Sequence, residues 1–352
     1  MGVTEKLYNI HDIVRFKIVK ETNIWDNLFS NIDIEYKNFE TERGGDADFT
    51  IYIGNFTPSN RDCYILDDTY YIKEDYLYCK DSYKLAKWDF EMSGFEGDNG
   101  IIHISNNLIG SMFISPLIDF LISFKMNERG YPLVHSSCVS KNNHAYLFPA
   151  RSGGGKTVMS LYFVEKGFDF LGDNFVVLDK DNVLSFLSPL NIFTYNLAPI
   201  IKNNLGLKTR TILSLKYLLY KMTMGYAKIF TKINVKDVFQ NSIIDESKLG
   251  SIFLLIPKKE FYIEKISKEE LINYLVMNQK LDSLSFFKYM LEYSYMFPDS
   301  NMATHWTRYK ENLRKNISED IPIYKIEVPQ RYDAKVFERI YEVIKDETST
   351  EL

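Results

Sequence analysis

Apolar and polar residues alternate over short runs in the first third of the chain. Thr50-Ile51-Tyr52-Ile53, Thr69-Tyr70-Tyr71-Ile72-Lys73 and Ile101-Ile102-His103-Ile104 predict strands, separated by turns rich in Gly, Asn and Asp. Residues 111–127 predict a helix. From Leu133 the pattern changes to an apolar segment, Leu133–Val139, a turn at Lys141-Asn142-Asn143, and a buried strand Ala145-Tyr146-Leu147-Phe148. A glycine-rich run follows directly, then a helix from Lys156 to Lys166 that Gly167 is suited to end, because glycine tolerates the left-handed conformation beyond a helix. Short strands are expected at Phe168–Leu171 and Phe175–Leu178, with Gly172-Asp173-Asn174 between them. Further on, Ser251–Ile256 predicts a strand ended by Pro257. Residues 267–315 predict helices broken near Pro298-Asp299-Ser300, before a last strand at Ile323–Ile326 and a terminal helix at Ala334–Lys345. The expected fold class is α/β (α+β). Residues 1–127 would form a β-rich accessory domain, residues 128–345 a mixed α/β domain, and residues 346–352 a flexible tail.

Composition narrows the function. At 352 residues, with 45% hydrophobic and 25% charged positions, the chain can bury a substantial core. A net charge of −5 argues against a nucleic-acid partner, which would need a basic face. Cys63, Cys79 and Cys138 form no CxxC pair and leave an odd count, which fits a reducing compartment. Cys138 is expected to be a small buried hydrophobe. The first residues show no cationic-then-apolar signal, and Met112–Phe124, broken by Pro116 and Asp119, is too short to span a bilayer. The expectation is a cytoplasmic chain with no membrane partner.

The chemistry concentrates in Ala150-Arg151-Ser152-Gly153-Gly154-Gly155-Lys156-Thr157. A strand, a glycine-rich turn and Gly-Lys-Thr at a helix start form a phosphate loop of the Walker A type. Glycines let backbone N–H groups converge on phosphate oxygens, and the helix N-terminus adds partial positive charge there. Ser152, Gly153, Gly154, Gly155, Lys156 and Thr157 are therefore expected to bind ATP, with Lys156 on the β- and γ-phosphates and the Thr157 hydroxyl on Mg²⁺. The pattern's first glycine is Ala150 here, which is tolerable only at negative φ. Arg151 has two readings of equal weight, a phosphate contact or a solvent-facing side chain.

The stretch His135-Ser136-Ser137-Cys138-Val139, the loop, and Glu165-Lys166-Gly167-Phe168-Asp169-Phe170-Leu171-Gly172-Asp173-Asn174 together resemble HPr kinase/phosphorylase. The resemblance is closer to the HPr-kinase-like peptide kinases that phosphorylate a serine of ribosomal precursor peptides, such as those accompanying lasso peptides. It covers residues 130–260 with motifs and extends more faintly to 345. It implies a P-loop kinase domain related to phosphoenolpyruvate carboxykinase, with Asp173 taking the proton of the acceptor hydroxyl and His135 standing near the carboxylate and the γ-phosphate. The family's second aspartate is Asn174 here, an amide that can still ligate Mg²⁺ but brings no negative charge. An acidic residue that the family carries after the loop Ser/Thr is replaced by Val158. The implied metal set is Thr157, Asp173 and Asn174, and the implied catalytic set is Asp173, His135 and Lys156.

No acidic residue lies between Asp181 and Asp237, where eight bases stand: Lys202, Lys208, Arg210, Lys216, Lys221, Lys228, Lys232 and Lys236. Either this is an ordinary solvated face, or it attracts an acidic peptide substrate. The leading expectation is an Mg²⁺- and ATP-dependent serine (or threonine) kinase acting on a peptide or small protein. A small-metabolite alcohol kinase and a catalytically weakened ATP-binding module that recognises peptides stay open. So do homo-oligomerisation and the role of the N-terminal region.

Overall fold

The computed structural model describes residues 2–21, 30–83, 86–193, 207–222, 230–239, 241–329 and 334–349. The chain divides into two units, Met1–Pro132 with Gln279–Asn312, and Leu133–Asn278 with Leu313–Leu352. Both mix helices with sheet, as the pattern predicts.

In the first unit the strands are β1 (Val3–Ile10), β2 (Val14–Glu21), β3 (Glu40–Thr41), β4 (Phe49–Gly54), β5 (Tyr64–Leu66), β6 (Tyr70–Lys73), β7 (Tyr76–Tyr83), β8 (Ala86–Ser93) and β9 (Gly100–Ser105). They form one sheet in the order β3-β1-β2-β4-β9-β8-β7-β6-β5, antiparallel except for the β2–β4 and β4–β9 pairs. The helix Leu108–Glu128 starts at Asn107, whose side chain accepts from the amide of Gly110 at 2.9 Å and so satisfies one of the unpaired first-turn donors.

Residues 128–345 do not form the one continuous domain that the sequence pattern predicts: Gln279–Asn312 belongs to this first unit. The reason is aromatic packing. From the helix Leu284–Met296, Phe286 stacks on Phe120 at 4.7 Å, while Tyr289 meets Phe90 and Tyr293 meets Phe95 edge-on, each at 5.0 Å. Periodicity shows that such a helix has an apolar face; it does not say which sheet receives it.

In the second unit the strands are β10 (Leu133–Val134), β11 (Ser136–Lys141), β12 (His144–Pro149), β13 (Asp169–Gly172), β14 (Val176–Asp179), β15 (Asn182–Leu184), β16 (Leu190–Phe193), β17 (Phe230–Ile233), β18 (Glu246–Lys258), β19 (Tyr262–Lys265) and β20 (Ile323–Pro329). The main sheet runs β10-β14-β15-β18-β12-β11-β13, and β20 joins it on β18, with β19 on β20. Strand β18 extends well beyond the predicted Ser251–Ile256 and passes through Pro257, which still aligns with Val328 of β20. A proline near a strand's end forfeits a single donor, so it does not have to stop the strand. The core lies between this sheet and the helix Lys156–Glu165, where Phe148 stacks on Phe163 at 5.3 Å and on Phe253 at 5.6 Å. The terminal helix runs Ala334–Ser349, past the predicted Lys345, so residues 346–349 are helical where a flexible tail was expected.

Strand direction places the site. Both β12 and β13 are antiparallel to β11. They therefore run the same way, and their carboxyl ends reach the same sheet edge as the start of β11. The loop after β12, the Gly172-Asp173 step after β13 and His135 before β11 meet at that edge.

Candidate phosphate-binding site

The loop leaves β12 at Pro149, and Ala150 still bridges to Leu255 of β18. Ala150 is absent from the described residues with positive φ, so its Cβ meets no backbone penalty. Gly153 and Gly155 do adopt positive φ, at 80° and 93°, and Gly155 is the residue immediately before the helix. A side chain there would strain the turn that brings the first helical amides of Lys156, Thr157 and Val158 to the edge. Arg151 and Ser152 are exposed.

Lys156 is only 8% exposed, and its Nζ donates to the carbonyl oxygen of Ala150 at 2.7 Å. Burial lowers its pKa to about 8, with the charge of Asp173 pulling the other way. The ammonium group is thus held inside the curl of the loop, close to its own deprotonation.

Asp173 is 6% exposed and is bound from the helix side. The Thr157 hydroxyl donates to its Oδ2 at 2.7 Å, and the Ser160 hydroxyl donates to its Oδ1 at 3.2 Å. Burial raises the carboxyl pKa; the Thr157 hydrogen bond, the Lys156 charge and the Ser160 hydrogen bond oppose it in that order. Gly172 precedes it for a steric reason, because a Cβ at that position would collide with the carbonyl oxygen of Phe175. Any larger residue would push the turn that carries Asp173.

His135 is buried, its ring 5.4 Å from that of Phe175, and it shares a hydrogen bond with Asn174. Burial first, and the Lys156 charge second, hold its pKa well below the usual histidine range. It is a neutral imidazole at pH 7. Cys138, on β11 and at 0% exposure, pairs with Leu147 of β12 and Gly172 of β13, and burial pushes its thiol up. It is the small buried residue that its surroundings suggested.

The edge therefore gathers Lys156, Thr157, Asp173, Asn174 and His135, and adds Ser160, which the sequence reading did not single out. Its signal was available. Ser160 follows Thr157 by three positions, which puts both hydroxyls on one face of the helix, a turn apart. A buried cation, first-turn amides and a glycine turn suit the site to an anion with several oxygens. Among the described residues no group of three His, Cys, Asp or Glu side chains is arranged to hold a metal ion. The Thr157–Asp173 pair offers one hydroxyl and one carboxylate oxygen, a donor set that suits a hard cation completed by water and phosphate oxygens.

Of the basic stretch, Lys202 and Lys228 lie outside the described residues, as do the side chains of Lys208, Arg210 and Lys221 on the helix Leu207–Met222. Lys216 turns to Thr231, donating to its hydroxyl at 2.9 Å, and Lys232 is half-buried. Lys236 is exposed. Two of the eight bases are thus partly drawn into the unit.

No family model and no curated protein matches the chain. Among solved structures, the Hpr(Ser) kinase/phosphatase from Coxiella burnetii overlaps 62% of this chain and 97% of its own, at 9% identity and a TM-score of 0.30. So loose an overlap leaves the chain's function to be read from its own geometry. Among the described residues no helix is long and apolar enough to cross a membrane.

Proposed function

We propose that this chain is an ATP-dependent kinase that transfers the γ-phosphoryl group to a serine, or a threonine, of a peptide or small protein. One observation supports it above the others: the phosphate loop's Thr157 is hydrogen-bonded at 2.7 Å to Asp173, a carboxylate from the turn that follows β13. A glycine turn alone would cradle any anion. The added hydroxyl–carboxylate pair is what phosphoryl transfer from a metal-bound triphosphate requires.

In this reading the loop amides and Lys156 bind the β- and γ-phosphates. Thr157 and Asp173 would hold Mg²⁺, with Asn174 as the remaining oxygen donor nearby; bound there, the ion would offset charge on the phosphate oxygens. Asp173 orients the acceptor hydroxyl and takes its proton once Thr157 has turned its own hydroxyl toward the nucleotide. The serine oxygen forms a bond to the γ-phosphorus, the bond to the bridging β–γ oxygen breaks, and ADP leaves. His135, neutral and bound to Asn174, fixes that amide's orientation.

The test is incubation with ATP, Mg²⁺ and candidate peptides, following transfer of labelled γ-phosphate. Asp173→Asn should reduce transfer at least a hundredfold while ATP still binds. A parent chain that binds no ATP would remove the reading. Binding without transfer to any acceptor would favour the second reading, an ATP-binding peptide-recognition module, to which Asn174 and Val158 already lean by lowering the negative charge at the site.

A further inference from the structure

Asp173 has two helix hydroxyls on its two oxygens, and they are not equivalent. Thr157 lies one residue into the helix and is partly exposed, whereas Ser160 is at 0% exposure. The Ser160 Oγ stands 3.2 Å from Asp173 Oδ1 and 3.1 Å from the carbonyl oxygen of Thr157. One hydroxyl hydrogen cannot serve both acceptors fully, so it is shared. A serine inside a helix that only returns its proton to the preceding turn has no need of a carboxylate partner. Here the carboxylate comes from the turn that follows β13, outside the helix that carries the serine.

We infer that Ser160 is a positioning residue for Asp173. It fixes Oδ1, which leaves Oδ2 facing Thr157 and the place where a divalent cation would accompany the nucleotide. This rests on the phosphate-loop reading and deepens it: Thr157 can turn away to other partners, and Asp173 keeps its orientation because Ser160 does not move with it. Outer partners of metal-holding groups commonly change metal affinity about 10- to 100-fold.

The measurement is ADP binding by calorimetry on the full chain, with and without Mg²⁺. Ser160→Ala should leave metal-free ADP affinity within about twofold and reduce the gain from Mg²⁺ by about tenfold. Ser160→Thr, which keeps the hydroxyl, should restore that gain, and Ser160→Cys, which is slightly larger than serine and donates only weakly, should resemble alanine. In an Asp173→Asn background the Ser160→Ala change should have no further effect on the Mg²⁺ dependence. An undiminished Mg²⁺ gain in both Ser160→Ala and Ser160→Cys would overturn the inference. So would an equal loss with and without Mg²⁺, which would make Ser160 a support of the helix alone. Failure of the phosphate-loop reading looks different: the parent chain itself would bind no ADP.

Discussion

The Nζ of Lys156 donates to the carbonyl oxygen of Ala150, six residues earlier and on the other side of the glycine turn. The loop is therefore closed on its own cation. A phosphate entering the turn replaces a neutral carbonyl partner with charged oxygens, which strengthens the hydrogen bond and restores the lysine's proton affinity.

That exchange predicts a pH dependence of binding. Lys156 in the nucleotide-free chain has a pKa of about 8, below its unfolded value of 10.5, because burial disfavours the charged form. Above pH 8 nucleotide binding must take up a proton, so ADP affinity should fall up to about tenfold per pH unit. Calorimetry in two buffers of different ionisation enthalpy would show the proton uptake directly. Lys156→Met should bind ADP about a hundredfold more weakly at pH 7 and show no such dependence, so that the two affinities converge as pH rises above 8.

Gly172 carries a separate expectation. A Cβ there meets the carbonyl oxygen of Phe175 and lies 3.0 Å from Val176 Cγ1. Gly172→Ala should destabilise the chain by about 1–3 kcal/mol, as overpacking does. It should also weaken transfer more than Gly97→Ala, a position with no atom within 4 Å of the added carbon. Urea unfolding of the two variants makes the comparison.

His305, in the first unit, is 0% exposed and tied to Asn127. The Asn127 amide nitrogen stands 3.2 Å from His305 Nδ1, and Asn312 donates to both oxygens of Asn127 at 2.8 Å. Burial pushes the histidine down to about 3. The folded state refuses a proton that the unfolded state accepts at its ordinary value of 6.5. Stability from this group is complete above 6.5 and falls as pH drops toward 3, by about 1.4 kcal/mol per unit. Between pH 7 and 5 the parent should lose about 2 kcal/mol more than His305→Phe, measured by denaturant midpoints.

The acceptor supplies the last expectation. If an acidic peptide is drawn to the basic stretch, replacing Lys208, Arg210 and Lys221 by Gln should raise the peptide KM about fivefold or more at low salt, with kcat unchanged. An unchanged KM would leave those residues as a solvated face.

Much of the site was legible in the chain because its pieces are local. A strand running into Gly-Gly-Gly-Lys-Thr, and a Gly-Asp-Asn turn between two short strands, are each written in fewer than ten consecutive residues. Short-range sterics and the helix N-terminus fix what they do. The Asn142-Asn143 turn was legible for the same reason, and both residues adopt positive φ, at 52° and 64°.

The partnership of Asp173 with Ser160, the capture of Lys156 by Ala150 and the neutral state of His135 were not legible. Each depends on which strand ends share an edge and how deeply that edge is buried. The β12–β11–β13 directions decide the first, and packing of Phe148, Phe163 and Phe253 decides the second. The same holds for Gln279–Asn312, where Phe286, Tyr289 and Tyr293 pack on Phe120, Phe90 and Phe95, residues far away in the sequence. Sequence alone determined the local conformations and the chemical groups available; tertiary structure decided which groups meet and in which charge state, because hydrogen-bond reach and desolvation are properties of three-dimensional neighbours.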